Sequence, residues 1–196
     1  MENANLKKTT YSMICALCIA ASAVLQLAFS ALGTNCALYL SVLICAMCCP
    51  VEYGVCTAVI SPFIALLEAG SPAAVLLPAE IGKCLVFVIT FRFLLGKIRT
   101  QALYDRLYAC FVPAVCMGQI AGGLICAAMF SGNYNSAIMF VAAKLVAAIP
   151  EIVVLFALLT GTIPLLKTLG LLEVGLPAEP PEPAPDANKT QTNKNE

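Results

Sequence analysis

LLPAEIGKCLVFVITFRFLL, residues 76–95, is an almost continuous apolar stretch that carries Pro78, Glu80 and Lys83 near its start. Its length is that of a membrane-crossing helix, which needs about 20 residues to span roughly 30 Å of hydrocarbon. A charged side chain at the bilayer centre costs about 2.5–3.5 kcal/mol on insertion scales, so a Glu and a Lys kept inside a span need a partner or a task. Residues 137–159, AIMFVAAKLVAAIPEIVVLFALL, repeat the pattern with Lys144, Pro150 and Glu151. We read the two stretches as facing walls of a polar pocket.

The rest of the chain agrees with a membrane setting. Of its 196 residues 61% are hydrophobic and 11% charged, and the mean hydropathy is +0.92, well outside the range of soluble domains. The expectation is an all-α, integral membrane bundle of six transmembrane helices, with no separate soluble catalytic domain. Net charge is zero and there is no long basic block, so nucleic acid is not an expected partner. Histidine is absent, which removes Ser-His and Cys-His catalysis and His-ligated haem. No enzyme activity, cofactor or metal is expected. The 11 cysteines lie almost entirely in apolar runs, where free Cys behaves as a small hydrophobe. Cys15 with Cys18, and Cys45 with Cys48 and Cys49, share helical faces, a weak pattern for a soft metal without His or a paired CxxC.

Working outward, residues 1–9 form a polar N-terminal segment with Lys7 and Lys8, followed by apolar runs at 10–32, 36–49, 51–68, 76–95, 107–130 and 137–159. The first is too long for a signal-peptide core. Its Ser12, Ala16 and Ala20 recur every four positions, a spacing that lets another helix approach closely, inside the bundle or outside it. The second run is short for a span. Pro62 and Pro113 stand inside the third and fifth runs, and prolines are tolerated where neighbouring helices satisfy the freed carbonyls. Gln119 and the Gly122-Gly123 pair mark the fifth. Residues 165–173 suggest an amphipathic turn on the membrane surface around Lys167. From 174 to 196 the composition is that of a disordered tail.

With six crossings both termini lie on one side. That side collects Lys7, Lys8, Arg92, Lys97, Arg99, Arg106, Lys167, Lys189 and Lys194, and the three opposite connections hold no Lys or Arg; the positive-inside rule makes it cytoplasmic. The expected location is the cell membrane. Lys83 and Lys144 each stand seven residues past the start of their stretch, about 10 Å down a helix, in the outer half of the bilayer. Glu80 shares a helical face with Lys83, and Glu151 lies two turns beyond Lys144. Pro78 and Pro150 are expected to loosen backbone just before each glutamate. The plainer alternative is four charges that pair with one another and fix helix register.

Six short spans with both ends inside, Ala16 and Ala20 on the inner half of the first helix, a proline-bearing polar loop before the fourth and an outward-facing polar pocket resemble the substrate-binding (S) component of energy-coupling factor (ECF) vitamin transporters. The resemblance covers about residues 10–165. It implies capture of a vitamin-like solute from outside, with Glu80, Lys83, Lys144, Asn133 and Tyr134 as pocket residues; Asn35, Gln119 and Glu151 join the expected site from their own positions in the sequence. It also implies docking of Ala16 and Ala20 on a transmembrane coupling protein, with two ATPase subunits supplying the energy. The chain has no glycine-rich nucleotide loop, as suits a subunit that borrows its ATPase, and it lacks the tryptophan that some pockets of that family use for ring stacking. The lysines favour an anionic group on the solute, while the glutamates oppose it. A self-sufficient small carrier, a structural subunit of a membrane complex and an intramembrane enzyme built on Cys or Glu are the alternatives.

Overall fold

A computed structural model describes residues 2–29, 36–70, 74–98, 103–130 and 134–172. Among the described residues there is no strand. They form α1 (Glu2–Phe29), α2 (Cys36–Cys48), α3 (Val51–Ala69), α4 (Leu77–Lys97), α5 (Leu103–Phe130) and α6 (Tyr134–Thr168), with a single 3-10 turn, Ala74–Leu76, leading into α4. Four stretches are long and apolar enough to cross a membrane: Lys8–Leu27, Ala74–Lys97, Leu103–Phe130 and Ala137–Thr168. The other two apolar helices, Leu38–Cys48 and Val51–Leu67, are shorter. The described residues are therefore all-helical, and these long apolar helices are compatible with a multi-pass membrane protein.

Three helices run past their expected limits. α1 begins at Glu2 because Leu6, Lys7 and Lys8 are good helix formers and no Gly or Pro separates them from the apolar run. α5 begins at Leu103 with Asp105 in its first turn, a favourable place for an acidic group against the helix dipole. α6 continues through Pro150, Gly161 and Pro164 to Thr168, so residues 165–168 are its last turn rather than a separate surface element. Within that helix Thr160 and Thr162 donate back to the Phe156 and Leu158 carbonyls, at 2.8 and 3.0 Å.

The 13-residue α2, about 20 Å long at 1.5 Å per residue, is the inner helix. It touches α1, α3, α4 and α6, and Leu38 through Leu43 and Cys45 through Cys49 are buried. A helix apolar all round belongs in a core. Being wrapped by longer helices, it does not itself have to match the bilayer.

One end of the bundle gathers the cations. Arg92 donates to the Ala46 carbonyl at 3.2 Å, and Arg106 Nε donates to the Leu95 carbonyl at 3.1 Å. These groups satisfy late carbonyls of α2 and α4. The Tyr11 and Tyr53 rings meet there, 5.8 Å apart. The start of α1, the ends of α2 and α4 and the starts of α3 and α5 thus lie together. Glu80 and Lys83 stand at the other end, near the start of α4.

Candidate functional site

α4 and α5 approach closely enough to bring the charges under cover. Gly118 and Gly122, four residues apart on α5, face the α4 backbone: a Cβ on Gly118 would meet the Lys83 carbonyl oxygen at 2.9 Å, and one on Gly122 would meet Lys83 Cβ at 3.3 Å. Small residues at this spacing let membrane helices pack backbone to backbone. The result is that Lys83 emerges from the α4–α5 seam, only 5% exposed as a residue, with Glu80 equally buried.

The four expected charges do meet. Lys83 Nζ lies 3.6 Å from Glu80 Oε2 and 3.7 Å from Glu151 Oε2, and Lys144 Nζ lies 3.5 Å from Glu80 Oε1. Tyr39 of α2 donates to Glu80 Oε2 at 2.6 Å, and its ring centroid is 4.2 Å from Lys83 Nζ, within cation–π range. Gln119 of α5 donates to Glu151 Oε2 at 3.1 Å. Two cations and two carboxylates, tied to a phenol and an amide, thus link α2, α4, α5 and α6. Such mutual compensation is what an ionic group removed from water requires.

A cavity of about 10 Å³ opens beside this network, lined in part by Tyr39, Lys83, Gln119 and Glu151, and it has room for about one water molecule. Lys144 does not line it. The expected hollow between the two lysines is therefore filled by Glu80, which bridges them.

Other expected residues stand elsewhere. Asn35 and Asn133 lie outside the described residues, as does the side chain of Tyr134, the first residue of α6. The expectation for Pro78 is corrected: it stands at the start of α4, where its missing N–H breaks no helical hydrogen bond. Pro150 is inside α6, about four turns from its nearest end, and only there does a proline release a carbonyl. Tyr39 and Gly118 were not among the expected site residues. The Gly118-xxx-Gly122 spacing is visible in the sequence, whereas nothing in the α2 run singles out its tyrosine.

Ala16 and Ala20 do not line the cavity beside the charges. With Ile19, Ala23, Ile64 and Leu67 they line a surface groove of about 510 Å³ between α1 and α3. Around it Met13, Leu17, Val24 and Leu67 are 58% or more exposed, so the small-residue face of α1 points outward instead of into the bundle.

The cysteines act as apolar filling. The ten described ones are free and eight of them are buried. Thr57 Oγ1 stands 3.1 Å from Cys45 Sγ and 3.3 Å from Cys15 Sγ, but among the described residues no three acidic, Cys or His side chains are placed to hold a metal ion.

Comparison with known protein families, with curated proteins and with solved structures finds no match in any of the three.

Proposed function

We propose that this chain is the membrane-embedded, solute-binding subunit of an ATP-driven micronutrient uptake transporter of the ECF kind, crossing the membrane six times with both termini in the cytoplasm. The observation that carries the proposal is the convergence of Glu80, Lys83, Lys144 and Glu151, with Tyr39 and Gln119, in an otherwise hydrocarbon-soluble bundle. Ionisable groups inside a membrane protein by default point to a solute or ion pathway. In the positive-inside orientation the Arg92 and Arg106 end is cytoplasmic and the cluster belongs to the outer half. A solute enters there, displaces Lys144 from Glu80 and widens the small cavity. The outward groove holding Ala16 and Ala20 receives a transmembrane coupling protein, and that protein's two ATPase subunits drive the reorientation that delivers the solute inward. The solute is small and polar. Because two glutamates balance two lysines, the lysines alone do not select an anion.

A second reading is favoured by the same pairing: the network locks helix register and nothing more. The full chain purified from its own host settles between them by native mass spectrometry. A co-purifying small molecule, together with partner subunits, supports the transporter subunit, and Lys83→Ala or Lys144→Ala variants that fold should lose the molecule. A preparation free of small molecules and partners, whose charge variants change only stability, leaves the register lock.

A further inference from the structure

The four charges differ in how fully they are occupied. Glu80 accepts from Tyr39 and faces both lysines, and Lys83 sits between two carboxylates against the Tyr39 ring; both side chains are 7% exposed. Among the described residues Lys144 has Glu80 as its one ion-pair partner, with a side chain 28% exposed, and these leave donors of its ammonium unused. Glu151 is 19% exposed, and both its ion pair to Lys83 and its bond from Gln119 fall on Oε2. Among the described residues its Oε1 has no partner. The cluster is thus a saturated inner pair, Glu80 and Lys83, and an outer pair of opposite sign with free valences, Lys144 and Glu151. Both outer residues belong to one face of α6, two turns or about 10 Å apart along the axis.

We infer that the site takes a small zwitterionic solute with no net charge, its anionic end on Lys144 and its cationic end on Glu151 Oε1. The inference rests on the solute-binding reading above. Charge balance opposes a lone ion: the protein groups sum to zero, so an anion or cation by itself would leave an uncompensated charge in a low-dielectric interior. A zwitterion adds none, and each end finds its counter-charge while the inner pair stays intact. The spacing of the two residues suits charged ends several bonds apart.

The test is equilibrium binding of three probes of matched length, 5-aminopentanoate, pentanoate and pentylamine, to the full chain in lipid nanodiscs, with native mass spectrometry of the same preparation. The expected result is at least tenfold tighter binding of 5-aminopentanoate than of either one-charge probe. Lys144→Gln should erase its advantage over pentylamine, and Glu151→Gln its advantage over pentanoate. The probe comparison on the unaltered chain stands whether or not those variants fold. A one-charge probe bound as tightly as the zwitterion, or a co-purifying solute of net charge, overturns the zwitterion and leaves the solute-binding subunit intact. A co-purifying solute that is itself a zwitterion supports the inference even when no probe binds. If nothing binds and nothing co-purifies, the solute-binding reading fails and this inference falls with it.

Discussion

At the scale of single residues the network makes unequal demands. Removing Glu80 takes the acceptor from Tyr39 and the counter-charge from Lys144, while removing Lys83 leaves Glu151, among the described residues, with Gln119 alone. Breaking a buried pair from one side leaves a charge stranded, so Glu80→Ala and Lys83→Ala are each expected to cost about 3–5 kcal/mol. Lys144→Ala should cost about 1 kcal/mol or less, because that side chain is partly exposed and Glu80 keeps Lys83 and Tyr39. Thermal unfolding in detergent micelles checks this order, and equal losses for Lys83 and Lys144 would contradict it. Lys83→Met combined with Glu151→Met keeps the cluster neutral and should recover most of the single loss, since apolar replacement of a whole pair is often nearly neutral. Both lysines and both glutamates were legible in the sequence because a charge inside an apolar run has no cheap explanation. Tyr39 was not: a tyrosine in a membrane helix is apolar over most of its surface, and only the fold shows its hydroxyl aimed at Glu80.

Among the elements, the α4–α5 seam decides where Lys83 sits. Gly118→Ala would press a methyl group to 2.9 Å from the Lys83 carbonyl oxygen and 3.3 Å from Phe87 Cβ, contacts that force the helices apart. Overpacking of this kind costs about 1–3 kcal/mol. We expect Gly118→Ala to lower the midpoint of thermal unfolding in detergent, whereas Gly96→Ala, which meets nothing within 4 Å, should raise it slightly or leave it unchanged. The apolar runs foretold where the described helices lie, since hydrophobic length is a strong signal, although four of them rather than six are long and apolar enough to cross a membrane. They did not foretell the ends. Helix limits at residues 2, 103 and 134 depend on short-range propensity, and α6 outlasts its prolines because lipid offers a freed backbone no better alternative. That α2 is the inner helix follows from packing among all the others, which no local pattern records.

For the whole molecule the decisive feature is the separation of its two surfaces: the polar cluster inside, and the α1–α3 groove outside. Leu17 and Leu67, 71% and 83% exposed, face lipid or a partner, and the two cases give opposite results on substitution. If the groove only meets lipid, enlarging Ala16 and Ala20 to leucine changes nothing, because lipid tails refill any shape. If it receives a coupling protein through backbone-close packing, the added volume holds the partner off. Neither alanine touches the charged network, so Ala16→Leu/Ala20→Leu should leave solute binding and thermal stability as they are. Recovery of partner subunits on the tagged chain should fall by roughly tenfold, the equivalent of about 1.4 kcal/mol. A Ser12→Ala variant, at the exposed start of the same stripe, should retain the partners, since it removes volume rather than adding it. Equal recovery from the leucine variant and the unaltered chain would show that the groove is a lipid-facing surface, and the energy source of any transport would then have to be sought elsewhere on the molecule.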